Sequence, residues 1–430
     1  MHTQYIFFIV YIGLLFWLLP RIPFLSRTGL KAGELRLFLL IKLLAGLFCS
    51  FYFFEVVLAT DYWVYHNEGL VEYKLLKENP VLFFTDFQSD LQQYGLGGLL
   101  ETSGSFWAYL KFHLLGKIVA ILNLGTKGNF YLNSLIFSSI TYFGHIAFYR
   151  IFSDIYSTRK KTVLLTCFLL PSVLLYTACI HKDGIIFLSL ALASLCFYQF
   201  IKGIGNTGVK RIAVFLISLF IIFLFRNYIL MAMLPAMGIA YVVSRAGKHK
   251  LIKAAALYCI LIIVFFATGL LRNSLNLPAA VVKRKADFAL LEKGNTNLEM
   301  KQLEPTPQSF AKNLPQAVNH VMLRPYPTEG KAIGVLFAAF ELYLYLLLLL
   351  YFVWRSLKDR RSLKNIHSFN VYGMIFFISM VFIIGLTIPN IGAIVRYRSI
   401  LWIFLLPPLI CRLADQLGYI AERKRAAHEV

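Results

Sequence analysis

The chain has 430 residues, of which 59% are hydrophobic and 15% are charged, and its 43 Lys and Arg against 21 Asp and Glu give a formal net charge of +22. Apolar runs long enough to cross a bilayer, about 18 residues or more, recur from end to end. This composition excludes a soluble enzyme, a disordered scaffold and a DNA-binding factor, so no nucleic acid partner is expected. We predict an all-α, polytopic transmembrane helical bundle that forms a single integral membrane domain over residues 1–430.

The predicted spans, about 11 in all by length and hydropathy, lie at 5–20, 37–58, 130–150, 162–180, 184–201, 212–225, 227–243, 254–271, 332–353, 369–388 and 399–414. The first stretch lacks a basic leading region and a small-residue cleavage site, so we expect a retained span rather than a signal peptide. The pair 212–225 and 227–243 should form a hairpin with Arg226 and Asn227 at its outer tip.

Basic residues in the short connections predict the orientation of these spans, because cytoplasmic loops are enriched in Lys and Arg. The basic connections are 21–36, 150–161, 202–211, 245–253 and 355–364, together with the tail 423–425. They place the N-terminus outside and the C-terminus in the cytoplasm. The half-apolar stretch 109–124 must then lie along the outer interface as an amphipathic helix. Two large outer segments result, 59–129 and 272–331.

An acidic residue opens the first outer segment, where Asp61 follows a predicted span in the run TDYWVYHNEGLVEY. A carboxylate at this boundary can take a proton from a polar acceptor while a lipid-linked reactant stays in the bilayer. Partial desolvation makes such a carboxylate a stronger base. We therefore predict Asp61 as a general base. The alternative is that Asp61 only ends a helix among solvated headgroups.

The run that follows, YLKFHLLGKIVAILNLGTKGNFYLN, is similar to a known family. Its FHLLGKIV segment, residues 112–119, resembles the HPPLGKLLI-like interfacial helix of polyprenyl-phosphate-dependent glycosyltransferases of the GT-C superfamily. Gly116 and Lys117 match that pattern, His113 is shifted slightly, and the two prolines are missing. The architecture is also similar, with a span, a long outer loop that begins with an acid, two interfacial helices, hairpins, a second outer loop and closing spans.

Three further runs resemble bacterial membrane proteins of polysaccharide assembly, namely LLPSVLLYTACIHKDGIIFL, LRPYPTEGKAIGVLFAAFELYLYLLLL and IPNIGAIVRYRSILWIFLLPPL. The resemblance implies a multi-pass protein of the bacterial inner membrane that works on its outer side. It implies a donor sugar on a polyprenyl phosphate or diphosphate, and an acceptor that is a lipid, a growing glycan or a protein. It also makes His113 and Lys117 candidate substrate-binding residues.

The tripeptide His181-Lys182-Asp183 occupies a tight outer turn between two predicted spans. Charges this close to a membrane must face polar surroundings, because pointing them into hydrocarbon costs a few kcal/mol each, about 3 at the bilayer centre. Lys182 can contact a phosphate, and Asp183 can orient that phosphate or an acceptor hydroxyl. The alternative is that the tripeptide is simply a polar turn.

Arginines at predicted outer ends are the other candidate phosphate contacts. Arg396 and Arg398 depart from the positive-inside pattern, and a guanidinium offers a planar fork of donors that fits phosphate oxygens. On an extended turn the two would share a face, whereas in a helix they diverge by about 200° and only one makes the key contact. Their alternative role is snorkelling to lipid headgroups. The remaining outer cations are Arg226, Arg272 and Arg324.

The favoured interpretation is an inverting glycosyltransferase in which Asp61 is the general base and Arg396, Arg398 and Lys182 stabilise the departing phosphate. This scheme requires no metal, although Asp61 and Glu68 could hold a divalent cation.

One alternative is an O-antigen-type polysaccharide polymerase or ligase, in which the arginines would matter more than Asp61. A more distant one is a glycolipid transporter or flippase with a path lined by Lys42, Glu55, Arg226 and Glu341. A structural or assembly subunit without chemistry is the third.

Overall fold

The computed structural model of the chain describes residues 2–57, 61–95, 106–204, 208–271, 276–290, 296–330, 332–358 and 366–428. Within these ranges every regular element is a helix, which confirms the predicted all-α class. One isolated bridge pairs Asn297 with Asn390. Arg272, one of the predicted outer cations, lies outside the described residues.

The described chain forms α-helices α1 to α19 in sequence order. Their bounds are α1 His2–Leu18, α2 Pro23–Ser26, α3 Ala32–Phe51, α4 Asp61–Glu78, α5 Pro80–Thr85, α6 Phe87–Tyr94, α7 Phe106–Thr126, α8 Phe130–Ile155, α9 Lys160–Phe168, α10 Pro171–Tyr176, α11 Lys182–Lys202, α12 Val209–Arg245, α13 Lys250–Ala267, α14 Leu277–Ala289, α15 Pro307–Val318, α16 Ile333–Lys358, α17 Ser368–Thr387, α18 Ile391–Ser399 and α19 Trp402–His428. Two π-helical turns, Tyr52–Val56 and Asn319–Leu323, follow α3 and α15.

Seven of the described helices are long and apolar enough to cross a membrane, or eight if the bent pair Ile391–Ser399 and Trp402–Leu417 counts as one span. This supports a multi-pass membrane protein but does not confirm the predicted count of 11. The predicted span 37–58 is not among the candidates, and α3, which covers its first part, ends at Phe51. The predicted span 162–180 is interrupted, with α9 ending at Phe168 and the short α10 beginning at Pro171.

Helix α12 contains a break at the residue that the sequence places at a hairpin tip. It has 37 residues, which at 1.5 Å per residue is about 55 Å and exceeds the roughly 30 Å of a hydrocarbon core. Arg226 inside it has φ −153° and ψ 78°, outside the helical region. The segments 209–225 and 227–245 on either side are therefore separate helical arms, each near the length of one crossing.

The chain divides into two compact units. The first consists of Met1–Arg150, Val173–Cys196 and Gly205–Asn227, and the second of Ile151–Ser172, Phe197–Ile204 and Tyr228–Val430.

In the first unit, α4 packs along α7, and two glycines permit the close approach. A Cβ atom on Gly69 would overlap Val119, and one on Gly116 would overlap Glu68. Asn123 of α7 donates to the carbonyl of Gly69 at 3.0 Å, which fixes the register of the two helices. Helix α7 covers the stretch predicted to be interfacial and is not among the candidate spans. The pairing thereby holds charged groups of α4 and α7 side by side.

In the second unit, a small apolar core joins α15 and α17. Its buried members are Leu303, Phe310, Ala317 and Leu386. Side-chain caps set the starts of three neighbouring helices, because an oxygen there accepts from a backbone N–H left free at the first turn. Asn276 caps α14, Thr306 caps α15 and Asn390 caps α18.

Candidate functional site

Helix α4 begins at Asp61, whose carboxylate lies beside the buried ring of His181. The Oδ2 atom of Asp61 is 3.4 Å from Nε2 of His181, and the two side chains are 46% and 0% exposed. The rings of Tyr62 and Tyr65 pack against the imidazole, with centroid separations of 4.9 and 5.6 Å. Asp61 is therefore open to an incoming molecule on one side and held by a fixed ring on the other.

His181 in turn contacts Asp183, which lies in the first turn of α11. The Nδ1 atom of His181 is 3.0 Å from Oδ2 of Asp183 and 3.1 Å from the backbone nitrogen of the same residue. A neutral ring with the proton on Nε2 accepts from that backbone N–H and donates to Asp61, whereas a protonated ring donates to both carboxylates. A carboxylate in the first turn also interacts favourably with the helix dipole.

The chain of contacts ends at Arg226, the residue at the break in α12. A terminal nitrogen of Arg226 forms an ion pair with Oδ1 of Asp183, and the two side chains are 4% and 0% exposed. Burying either charge without the other would be strongly unfavourable, so the pair compensates the desolvation of both groups. Asp61, His181, Asp183 and Arg226 thus form one connected group in the first unit, called here the acid–base chain.

Lys182 lies at the edge of the acid–base chain. Its Nζ atom is 5.9 Å from the centre of the Tyr65 ring, and Tyr65 also contacts His181. The side chain of Lys182 is half-buried. The tripeptide 181–183 thus lies near Asp61. Its use for phosphate binding stays a prediction.

A second charged cluster holds α4, α5 and α7 together. Lys117 Nζ lies 3.0 Å from Glu72 Oε2, 2.7 Å from Asp86 Oδ2 and 2.6 Å from the carbonyl oxygen of Phe83. Burial acts to raise the pKa of Glu72, but hydrogen bonds from His113 and Lys117 outweigh it and hold this pKa below its ordinary value. The observed contacts make Lys117 a bridge between helices, and its predicted contact with substrate remains untested.

His113, predicted as a substrate contact, also belongs to this cluster. Its Nδ1 atom is 3.1 Å from Glu68 Oε1 and 3.2 Å from Glu72 Oε1. These three ligand atoms lie within 4.8 Å of one another, a set of donors that suits a divalent cation. The pair Asp61 and Glu68 fits such an ion less well, because two turns of α4 separate them by about 10 Å along the axis.

The other predicted cations lie in the second unit. Arg398 is 3% exposed and donates to the backbone carbonyls of Val321 and Arg324, the latter at 2.8 Å. Arg324 pairs through NH1 with Glu329 at 3.1 Å. Arg396 is half-buried, with its guanidinium 5.5 Å from the ring of Tyr397.

Arg396 and Arg398 both lie in α18, so the helical alternative holds and their side chains diverge. Arg398 stabilises local structure through its carbonyl contacts. The predicted phosphate contacts of both arginines remain untested.

The three charged residues predicted within or near spans, Lys42, Glu55 and Glu341, all make hydrogen bonds to other residues. In the first unit, Lys42 donates to Thr177 and to the Leu174 carbonyl, and Glu55 accepts from Tyr131 at 2.9 Å. In the second, Glu341 accepts from the Ser172 backbone N–H at 2.9 Å and from the Tyr345 hydroxyl at 2.6 Å. These bonds give Lys42 and Glu341 structural roles that do not require a transport path.

Two functional candidates were missed by sequence reasoning. His181 was noted only as part of a polar turn, although it links Asp61 to Asp183. The sequence does not single out His320, which lies buried in a π-helical turn of the second unit at 4% exposure. A signal for both was present, since each is an ionisable side chain next to an apolar stretch.

Comparison of the chain with protein-family models, with curated proteins and with solved structures finds no match in any of the three. The likeness to GT-C glycosyltransferases therefore depends on the sequence motifs alone. The functional interpretation depends on the geometry of the acid–base chain.

Proposed function

We propose that the protein is a membrane glycosyltransferase that transfers a sugar from a polyprenyl-phosphate-linked donor to an acceptor on the outer face of a bacterial plasma membrane. The observation that supports this most is the contact of the half-exposed Asp61 with the fully buried His181, 3.4 Å apart. A carboxylate held at a surface by a buried relay of polar groups is an arrangement suited to general-base chemistry.

In the proposed reaction, Asp61 accepts the proton of an acceptor hydroxyl. The hydroxyl oxygen attacks the anomeric carbon of the donor sugar and forms the new glycosidic bond with inversion. The bond between that carbon and the phosphate oxygen breaks, and its electron pair leaves with the lipid phosphate. His181 contacts Oδ2 of Asp61 and so orients the carboxylate toward the hydroxyl.

The buried members of the acid–base chain support this step through charge. The positive charge of Arg226 neutralises the negative charge of the Asp183 carboxylate. His181 therefore lies between two carboxylates, the neutralised Asp183 and the half-exposed Asp61. Lys182 is the neighbouring cation whose ammonium group can interact with the departing phosphate, where negative charge accumulates. Asp61 and Lys182 therefore have complementary roles, one for the proton and one for the leaving group.

The test is transfer of labelled sugar from a panel of polyprenyl-linked donors to bacterial membranes that contain wild-type or Asp61→Asn protein. Asn keeps the shape of the side chain but removes the base, so we expect transfer to fall by about 100-fold or more. The matched control is Glu78→Gln at the exposed end of the same helix, which should retain wild-type transfer. Undiminished transfer by the Asp61→Asn protein would contradict the proposed role of Asp61.

A further inference from the structure

The second unit contains an open cavity of about 570 Å³. Seven of its nine lining residues are polar, and they include Glu299, Lys301, Gln316, Asn319, His320 and Arg324. Pockets for small molecules commonly have volumes of about 300–1,000 Å³. Such a polar lining is unsuited to an acyl chain and matches a ligand with many hydrogen-bonding groups.

The walls of this cavity are fixed by hydrogen bonds of their own. The Gln316 amide donates to the Glu299 carbonyl at 2.9 Å and accepts from the backbone N–H of Lys301 at 3.2 Å. Arg398 holds the end of the π-helical turn through the carbonyls of Val321 and Arg324. Short π-helical turns of this kind occur frequently at functional sites. These bonds fix the segments that form the wall of the cavity.

His320 is the buried polar group of the cavity. In the part of the chain that the structure describes, its Nδ1 atom is fully buried without a hydrogen-bond partner. Burial first, and then the nearby Arg324 and Lys285, lower the pKa of His320 to about 4. The ring is neutral at physiological pH, so it offers one donor and one acceptor to a hydroxyl.

Arg324 supplies directed positive charge beside His320. Its NH1 atom pairs with Glu329 at 3.1 Å, while its Nε atom makes no hydrogen bond to the described residues. The exposed Lys301 also lines the cavity, and Lys285 donates to the Lys301 carbonyl. Among the charged residues that line the cavity, Lys301 and Arg324 are cations and Glu299 is an anion, which leaves one net positive charge. That balance favours a ligand with a single anionic group.

We infer that this cavity binds a sugar ring that carries one anionic group, either a carboxylate or a phosphate. The amides, the neutral imidazole and Glu299 match sugar hydroxyls, and the guanidinium of Arg324, which also pairs with Glu329, supplies positive charge for the anion. This site goes beyond the proposed reaction, whose residues belong to the first unit. It does not depend on that reaction being correct.

Binding to the purified full-length protein in nanodiscs tests this site by calorimetric titration at neutral pH. The probes are glucuronic acid, glucose 1-phosphate, uncharged methyl glucoside and inorganic phosphate. We expect at least one anionic sugar to bind about tenfold or more tightly than both methyl glucoside and inorganic phosphate. Preference between glucuronic acid and glucose 1-phosphate distinguishes the carboxylate from the phosphate. Equal binding of the charged and uncharged sugars would overturn the inference, as would inorganic phosphate binding as tightly as the anionic sugars.

Two variants and one control assign the binding to these residues. Arg324→Lys keeps the charge but loses the planar fork, and Lys301→Ala removes an exposed cation without disturbing the core. Each should weaken binding of the anionic sugar by about threefold to tenfold while leaving methyl glucoside unchanged. Lys312→Ala, an exposed position of α15 away from the cavity lining, should bind as the wild type does. Unaltered affinity in both Arg324→Lys and Lys301→Ala would refute the assignment.

Discussion

Asp183 and Arg226 form an ion pair that is shielded from solvent, although α11 and a break in α12 supply them separately. Their side chains are 0% and 4% exposed. The break at Arg226 and the charge in the first turn of α11 therefore have one common explanation. Each places its charged group where the other compensates it.

Replacing Arg226 with Met should strongly destabilise the protein. The substitution leaves the buried Asp183 without its cation, and breaking a buried pair from one side costs roughly 3–5 kcal/mol. Thermal unfolding in nanodiscs measures this loss. The double variant Arg226→Met with Asp183→Asn should recover part of it, because no uncompensated charge remains. Lys210→Met, exposed near the start of α12, is the control and should melt like the wild type.

His181 should act as a positioning residue for Asp61. In His181→Phe the ring keeps its packing on Tyr62 and Tyr65 but loses both nitrogens. We expect kcat for sugar transfer to fall by about 10–100-fold while KM changes little, because Asp61 is then less well oriented. Steady-state kinetics with one polyprenyl-linked donor separates the two parameters.

An exposed histidine provides the control for that experiment. His249 has a positive φ of 64°, a conformation that asparagine also adopts, so His249→Asn should fold and function normally. A rise in KM with unchanged kcat in His181→Phe would instead assign His181 to substrate binding.

Lys117 should contribute to stability because it bridges Glu72 and Asp86. In Lys117→Met the two carboxylates lose their shared cation, at a cost of roughly 2–3 kcal/mol. Glu72 has a folded pKa below its ordinary value, so its contribution is present above that ordinary value and disappears as the pH falls through the folded pKa. Melting temperatures measured against pH should show this loss in the wild type and a smaller one in Lys117→Met.

Lys74→Met is the comparison for Lys117. Lys74 is 76% exposed and lies 3.9 Å from Glu78, so removing it should change stability by no more than about 0.5 kcal/mol. A similar small effect for Lys117→Met would show that the cluster of α4, α5 and α7 is not structurally important.

The helical class and many of the candidate polar residues can be predicted from the sequence, but the residues that they contact cannot. Lys42 is a candidate residue in the transporter alternative, yet its partner Thr177 is 135 residues away in sequence. Asp61 and His181 are separated by 120 residues. Such partners are selected by tertiary packing, which hydropathy and local periodicity do not describe.

The span count departs from the sequence prediction for a related reason. Residues 162–180 have the composition of one span, but Pro171 begins a new helix there. Proline lacks a backbone N–H and disfavours helical geometry in the residue before it, so the segment is divided. Helix α12 is also interrupted, at Arg226, the residue that pairs with Asp183.

His320 should make the stability of the protein depend on pH in the acidic range. Its pKa of about 4 in the folded protein is below the ordinary 6.5, so the unfolded chain binds more protons between these values. Stability should therefore fall as the pH drops from 6.5 to 4, by on the order of 3 kcal/mol. Comparing melting temperatures of wild type and His320→Gln across this range isolates the effect, since other acidic groups titrate equally in both. The melting temperature of the wild type should fall more than that of His320→Gln between pH 6.5 and pH 4. At pH 4 any advantage of the wild type in melting temperature should therefore be smaller or reversed. Parallel curves over the whole range would show that His320 is not held neutral by its surroundings.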